Sequence, residues 1–345
     1  MKHNSLFFID LVFPKLFSGA DKFLASSKAR DDIKTILMQR DDVVYVPIKR
    51  NFRSKLIGNL ELLLKLLCKL ILMKKGSDLF LQYPMGNLSI FRLLSPVLSK
   101  LNTTIIVHDL PTFRFPNEYD NREKEILVLN NFSSVIVHTV KMKDILVKNG
   151  VKSNLVVLSA FDYLVNDREV AKNEKNTIVF AGDLKKSVFL KDLHMIDFGE
   201  YNFNLYGGYK PDIEYADFIR YEGAFAPNNI SSIKGEWGLL WDGDSVNDCI
   251  GNFGEYLKII APHKFSLYLA CGFKVIAWKG SAMADFIINE KIGFVVNSLS
   301  EIKDTIYSLS EEEKNEISKN VLKWSERIRH GEMFSSAFKN VQKYE

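Results

Sequence analysis

The chain has 345 residues, of which 47% are hydrophobic and 26% are charged. This length fits two domains, and the composition is that of a globular protein rather than a disordered one. The formal net charge of +4 argues against a dedicated nucleic-acid-binding protein. The three cysteines are too scattered for a disulfide framework or a metal cluster, which suits a reducing cytosol.

The start of the chain does not look like a leader peptide. Asp10 and Lys15 interrupt its apolar residues, and no small-residue cleavage site follows. No run of 18 or more apolar residues is free of charge, so we expect no membrane-spanning segment and a cytoplasmic location.

Strand and helix patterns alternate through the first half of the chain. The predicted strands are 6–13, 43–48, 78–84, 103–109, 134–139 and 154–159. The predicted helices are 20–39, 54–74, 88–100, 120–131 and 140–149. Continuous apolar strands separated by helices are typical of parallel strands covered on both faces, so this half predicts an open, doubly wound α/β sheet.

The segment 54–75 is unusual in combining a broad leucine-rich face with a stripe of lysines. Between residues 49 and 75 there are eight Lys or Arg and one acid, a net charge of 8 − 1 = +7. A wide apolar stripe favours a helix buried against the sheet. The basic residues also allow a surface that lies on anionic lipid.

A polar connector, 166–176, precedes a second set of strands. These are predicted at 177–182, 203–207, 218–223, 237–243, 273–278 and 292–296, with helices at 311–328 and 332–342. Two Rossmann-like domains in tandem predict an interdomain cleft at the carboxyl ends of their strands. We place the domains at 1–163 and 164–330, with a terminal helical segment, 331–345, that packs back toward the first domain.

Lysines near two helix starts in the second half are candidates for anion binding. A helix over 263–271 begins after Pro262, and Lys264 would direct a full charge toward a diphosphate. Earlier, a strand ends at Gly182, and Lys185 and Lys186 start the next helix. Ordinary helices with solvated surface lysines would give the same patterns.

Two further segments carry candidate polar chemistry. His108 and Asp109 follow a strand and could accept a proton from an attacking hydroxyl, although Asp109 could instead cap the turn before Pro111. Asp242 and Asp244 are spaced like a metal-binding pair, but Asp-Gly-Asp is also ordinary turn chemistry. We therefore expect no metal and suggest that Asp242 binds sugar hydroxyls.

Taken together, ten segments in this order resemble one family of bacterial sugar transferases. They are 18–34, 79–84, 107–114, 133–151, 160–164, 177–190, 204–207, 238–258, 261–278 and 292–302. The family includes β-1,6-galactofuranosyltransferases of O-antigen synthesis and the third glucosyltransferase of streptococcal adhesin glycosylation. The resemblance covers nearly the whole chain and implies a GT-B fold and a UDP-sugar donor.

The resemblance also implies roles for individual residues. Lys264 and Lys186 would grip the diphosphate, Tyr221 would contact the uridine, and a loop of Ser18, Gly19 and Ala20 would close on the phosphates. The other donor-binding candidates are Gly182, Lys185, Asp242, Pro262 and His263. On the acceptor side the candidates are Asp109 and His108 for catalysis, and Arg114 and Tyr83 for binding.

The activity implied is transfer of a hexose, with galactofuranose preferred, from UDP to a hydroxyl of a lipid-linked or peptide-linked glycan. It would proceed with inversion and need neither metal nor cofactor. A UDP-glucosyltransferase of the same family, a UDP-sugar 2-epimerase and a non-catalytic transferase subunit are the alternatives. No nucleic-acid partner is expected.

Overall fold

A computed structural model of the chain describes residues 5–12, 25–49, 51, 55–116 and 121–343. The predicted phosphate loop at Ser18, Gly19 and Ala20 lies outside these residues. The chain forms two compact units. The first contains the first strand, Ile33–Leu158 and the chain from Phe334 onward, and the second contains Ser159–Met333 together with the segment that ends at Asp32, which the predicted boundaries had assigned to the first domain.

The first unit contains a six-stranded parallel sheet with the order β2-β1-β3-β4-β5-β6. Its strands are β1 (Leu6–Val12), β2 (Val43–Lys49), β3 (Asp78–Tyr83), β4 (Asn102–Val107), β5 (Ser134–Val137) and β6 (Asn154–Val157). The intervening helices are α1 (Ala25–Met38), α2 (Lys55–Ile71), α3 (Leu88–Leu98), α4 (Pro111–Arg114), α5 (Arg122–Leu129) and α6 (Val140–Lys148). The predicted doubly wound sheet is confirmed.

Aromatic side chains form the centre of the first unit's core. Phe8 of β1 and Phe80 of β3 lie on adjacent strands with ring centroids 5.8 Å apart. Phe334 and Phe338, from the end of the chain, contact Phe80 at 5.4 and 5.7 Å. The last helix, α12 (Glu332–Gln342), therefore covers this sheet with its aromatic face.

The second unit contains another six-stranded parallel sheet, with the order β12-β11-β10-β7-β8-β9. Its strands are β7 (Lys172–Ala181), β8 (Asn202–Tyr206), β9 (Ile219–Gly223), β10 (Lys234–Leu240), β11 (Lys274–Trp278) and β12 (Gly293–Val296). Its helices are α7 (Gly251–Leu257), α8 (His263–Ala270), α9 (Ala284–Asn289), α10 (Ile302–Ser308) and α11 (Glu311–Arg329), with 3-10 helices at Val188–Met195, Ile230–Ser232 and Leu299–Glu301.

Two local predictions in the second unit were wrong. The polar connector 166–176 is strand from Lys172 onward, because the backbone of Lys172 and Asn173 pairs with Lys234 and Gly235 of β10 despite its polar sequence. Lys185 and Lys186 lie in a turn before the 3-10 helix rather than at the start of an α-helix.

The strand order of the second sheet creates a topological switch point. From β7 the chain continues outward through β8 and β9, then returns to the other side of β7 for β10 and continues to β12. Connections that leave in opposite directions open a crevice at the carboxyl ends of the two central strands, here β7 and β10. None of the described helices is both long and apolar enough to cross a membrane.

Candidate functional site

Lys264 reaches the carboxyl ends of the two central strands of the second sheet. Its Nζ lies 2.7 Å from Oδ2 of Asp242 and donates to the carbonyl of Trp241 at 2.6 Å, both directly after β10. The same Nζ lies 4.4 Å from the centroid of Phe180, near the end of β7. The ammonium group predicted to bind a diphosphate therefore lies at the switch point.

The surroundings of Lys264 act on its charge in opposite directions. Its side chain is only 11% exposed and that of Asp242 19%. Burial lowers the pKa of Lys264, the carboxylate of Asp242 raises it, and the positive charge of Lys186 lowers it. An anion bound at Lys264 would offset this unfavourable interaction between like charges.

Lys186 and Lys185 differ in their environments although they are adjacent. Nζ of Lys186 lies 3.6 Å from Oδ2 of Asp183 and 5.1 Å from the ring centroid of Phe253. Lys185 is exposed, and its backbone N–H donates to Oδ1 of Asp183 at 3.2 Å. Lys186 is thus the member of the pair that acts on Lys264.

Tyr268 of α8 closes the gap where the two central strands separate. Its hydroxyl accepts from the N–H of Ala181 and donates to the carbonyl of Leu239, each at 3.0 Å. A Cβ at Gly238 would lie 2.1 Å from the tyrosine ring, so β10 must have glycine there. Tyr268 was not among the predicted site residues, because a tyrosine within an apolar helix gives no sign of which strand ends it joins.

Gly182 and Tyr221 lie farther along the same edge. The N–H of Gly182 donates to the carbonyl of Tyr206, and the hydroxyl of Tyr221 donates to that of Gly207 at 2.9 Å. A Cβ at Gly207 would lie only 2.6 Å from the carbonyl oxygen of Gly182. Glycine is therefore required at 207, and the half-buried ring of Tyr221 lies beside this contact.

Pro262 and His263 precede Lys264 but have different surroundings. Pro262 is the N-cap of α8, and the helix begins at His263 as predicted. The ring of His263 packs 5.0 Å from that of Tyr163 and 6.0 Å from that of Phe161. Burial, with the nearby charge of Lys28, lowers the pKa of His263 to about 3, so its imidazole is neutral at physiological pH and adds no charge for an anion.

The Asp-Gly-Asp turn separates its two carboxylates. Asp242 pairs with Lys264, whereas Asp244 is exposed. Gly243 between them has φ of 111°, and a Cβ there would meet the carbonyl of Ile250 at 2.3 Å. No three His, Cys, Asp or Glu side chains are grouped for metal binding anywhere in the described ranges, and metal independence stays a prediction.

On the first sheet, the predicted acceptor-side residues cluster at the ends of β3 and β4. Nε2 of His108 lies 2.7 Å from Oε1 of Gln82. One oxygen of Asp109 pairs with Nη1 of Arg114 at 2.5 Å, and the other accepts the N–H of Leu110 at 3.0 Å. Asp109 is partly exposed and is held in one orientation, as a proton acceptor would need to be.

Tyr83 does not share this exposed position. It is 1% exposed, and its hydroxyl donates to Oε1 of the buried Glu125 at 2.6 Å. The other oxygen of Glu125 accepts from the backbone N–H and the hydroxyl of Thr112. The geometry gives Tyr83 a structural role and does not support the predicted acceptor contact, because its hydroxyl is already bonded inside the core.

His138 also belongs to this edge and was missed. It follows β5, is buried, and its Nε2 lies 2.9 Å from the carbonyl of Val107. Burial lowers its pKa to about 4, against the carbonyl of Val107 and the carboxylate of Asp109, which raise it. In the sequence, a histidine inside an apolar run is typical of a core residue. Only the position of the neighbouring strand end shows that it lies at the edge of the sheet.

Two family models match most of the chain. The one described as "Glucosyltransferase 3-like, N-terminal domain" matches residues 15–160, and "Glucosyltransferase 3-like, C-terminal domain" matches 178–341. The β-1,6-galactofuranosyltransferase WbbI of Escherichia coli K12 is 30% identical over 334 residues, 92% of this chain and 94% of that protein. Glucosyltransferase 3 of Streptococcus gordonii is 25% identical over 237 residues, 65% of this chain and 66% of that protein.

Solved structures agree on the architecture. HepE of Anabaena, crystallised with UDP and glucose, superposes with a TM-score of 0.55 at 13% identity, over 97% of this chain and 100% of its own. At that identity the likeness shows the fold alone, which confirms the predicted GT-B class. The chain belongs to the glucosyltransferase 3-like family and is a glycosyltransferase.

Proposed function

We propose that the protein transfers a hexose from a UDP-sugar, and that the second sheet binds the donor. The observation that carries the proposal is the position of Lys264 at the switch point, with its charge coupled to that of Lys186. Fixed cations at the carboxyl ends of parallel strands suit a nucleotide diphosphate. UDP and glucose, named with HepE, are in keeping with such a ligand.

The cations would act on the leaving group. As the bond between the sugar's anomeric carbon and the diphosphate oxygen breaks, negative charge grows on UDP. Lys264 and Lys186 would stabilise that charge with little reorganisation, because Asp242 and Asp183 hold the two ammonium groups at this edge before the donor binds. Removing one such preorganised donor typically costs about 3 kcal/mol of transition-state stabilisation.

On the first sheet we assign proton acceptance to Asp109. The acceptor hydroxyl forms its new bond to the anomeric carbon on the face opposite UDP, and its proton passes to the carboxylate, which gives inversion. Arg114 fixes the orientation of Asp109. His108, bonded to Gln82, is the neighbouring candidate for this step.

For the sugar we propose galactofuranose, with a surface glycan as acceptor and no metal or cofactor. The support is that WbbI, a β-1,6-galactofuranosyltransferase by name, is similar over nearly the whole chain. Glucose is the second candidate, because the matching family models and the Streptococcus gordonii relative are described as glucosyltransferase 3 or like it.

A donor panel tests the proposal directly. UDP-galactofuranose, UDP-glucose, UDP-galactose and UDP-GlcNAc are compared for calorimetric affinity and slow hydrolysis, with and without EDTA. We expect tight binding of UDP itself and selective turnover of UDP-galactofuranose. Formation of an epimer in the absence of acceptor would indicate a 2-epimerase, and the absence of turnover with every donor and glycan acceptor would indicate a non-catalytic subunit.

The role of Asp109 is tested separately from donor binding. Asp109→Asn keeps the size and most hydrogen bonds of the side chain but removes its basicity. We expect kcat to fall at least 100-fold with donor affinity unchanged. A loss under tenfold would transfer the proton-accepting role to another group, and His108→Gln is the variant to compare.

A further inference from the structure

Helix α2 has two apolar faces rather than one. Leu62, Leu66 and Leu70 are buried against the first unit. On the opposite side, large apolar side chains remain 52% to 81% exposed: Leu56, Leu60, Leu64, Ile71 and Leu72. The exposed thiol of Cys68 lies in the same stripe. A helix that is simply buried against the sheet accounts for the three buried leucines but not for the four exposed ones.

The exposed leucines form a continuous surface rather than scattered residues. Leu56, Leu60 and Leu64 are four residues apart and therefore lie on one side of the helix. Ile71, the last residue of the helix, continues this side about 25 Å from its start, and Leu72 follows directly after it. Single exposed leucines are normal on protein surfaces, but a contiguous stripe of this length indicates a surface that binds something apolar.

Positive charge lies at the end of the stripe. Lys74 and Lys75 are exposed directly after the helix, next in sequence to the end of the stripe. Lys49 and Lys69 are also exposed, although Lys69 lies about 180° around the helix from Leu60. Lys65 pairs with Glu61, the only acid of the segment, at 2.6 Å. The sequence from 49 to 75 carries +7. The binding partner must therefore combine a hydrocarbon phase with negative charge at its border.

We propose that this face of α2 docks the protein on an anionic phospholipid bilayer, with the helix axis parallel to the surface. The leucines enter the acyl boundary while the lysines extend to the headgroups, as amphipathic interfacial helices do. A second copy of the chain is disfavoured, because pairing two such faces would bring like charges together. The proposal goes beyond sugar transfer and does not depend on it.

Vesicle sedimentation of the full chain tests the docking. Vesicles of phosphatidylglycerol and phosphatidylethanolamine are compared with vesicles of phosphatidylcholine alone. We expect at least tenfold stronger partitioning onto the anionic vesicles, weakened by 0.5 M NaCl. Equal binding to both vesicle types, or no binding to either, would overturn the proposal.

Matched variants show which surface is responsible. Leu60→Gln with Leu64→Gln, and separately Lys74→Glu with Lys75→Glu, should each reduce partitioning at least tenfold. The control set lies on α11, where Leu322 and two lysines are similarly exposed: Leu322→Gln, Lys319→Glu and Lys323→Glu. Unchanged melting temperature and UDP affinity show that each variant is folded. Equal losses in the control set would mean general electrostatic adhesion and would contradict the assignment.

Cys68 provides a direct report from the face itself. An environment-sensitive fluorophore is attached there in a Cys271→Ser background, Cys249 being buried. We expect a blue shift of emission with anionic vesicles and none with phosphatidylcholine. A blue shift that instead follows protein concentration without lipid, together with dimers in sedimentation velocity, would assign the face to self-association and reject the bilayer.

Discussion

Lys264 and Asp242 form an ion pair of 2.7 Å at the switch point of the second sheet, where both side chains are largely buried. The carboxylate of Asp242 balances the charge of Lys264 as long as no other anion is bound there. A diphosphate would compete with Asp242 for the same ammonium group. Asp242 would then be released toward the sugar hydroxyls, as the sequence analysis suggested for it.

The pair predicts a specific pattern of stabilities. Lys264→Met leaves the buried carboxylate of Asp242 uncompensated and should lower the free energy of unfolding by about 3 kcal/mol. The double variant Lys264→Met with Asp242→Asn removes both charges and should return to within about 1 kcal/mol of wild type. Urea denaturation measures all four members of the cycle. Additive losses in the double variant would show that the pair is not coupled.

The two adjacent lysines should differ in their effect on UDP binding. Lys186→Ala removes a cation whose charge reaches Lys264, and we expect about a tenfold loss of UDP affinity. Lys185→Ala serves as the matched control and should change the affinity less than threefold, since that side chain is exposed. Calorimetry distinguishes them, and equal losses would contradict the assignment of Lys186.

Tyr268→Phe tests the hydroxyl that joins the separating strands. The variant leaves the N–H of Ala181 and the carbonyl of Leu239 without this buried partner, which should cost about 2 kcal/mol of stability. UDP affinity should also fall several-fold, because the crevice is less well fixed. Tyr215→Phe is the control, since its hydroxyl donates to the carbonyl of Pro211 near the surface. Equal effects of the two variants would contradict the assignment of this hydroxyl as the link between β7 and β10.

Buried His138 should make the protein less stable in mild acid. Its pKa is about 4 in the folded state and 6.5 ordinarily, so below pH 6.5 the unfolded chain binds a proton that the folded chain refuses. Between pH 7 and pH 5, this difference should lower the free energy of unfolding by about 2 kcal/mol. The pKa of Asp32, raised to about 6 by burial, acts in the opposite direction, so wild type alone is not diagnostic.

The comparison therefore uses variants. The free energy of unfolding is measured by urea denaturation at pH 7 and at pH 5. Between these two pH values it should fall by about 2 kcal/mol less in His138→Gln than in wild type. Parallel pH profiles for wild type and His138→Gln would show that His138 protonates equally in both states.

Much of the fold could be predicted because hydrophobic periodicity is a local signal. All twelve strands lie within or near their predicted ranges, since buried parallel strands read as short apolar runs. The start of β7 at Lys172 escaped prediction because backbone pairing with β10, rather than side-chain burial, makes it a strand.

The site was only partly predictable, for a physical reason. Lys264 could be singled out from its place at a helix start, but its partners Asp242 and Phe180 come from other parts of the chain. Tyr268 and His138 look like core residues in sequence, and only the strand order shows which ends they meet. Likewise, the outward leucines of α2 cannot be told from its buried ones by composition.

The account depends most on Lys264 as the cation that binds the donor diphosphate. The direct measurement is the calorimetric affinity for UDP of the double variant Lys264→Met with Asp242→Asn, which keeps the fold by removing both charges, compared with Asp242→Asn alone. We expect the double variant to bind UDP at least 30-fold more weakly than wild type, about 2 kcal/mol, while Asp242→Asn retains or gains affinity. Wild-type affinity in the folded double variant would contradict the central claim.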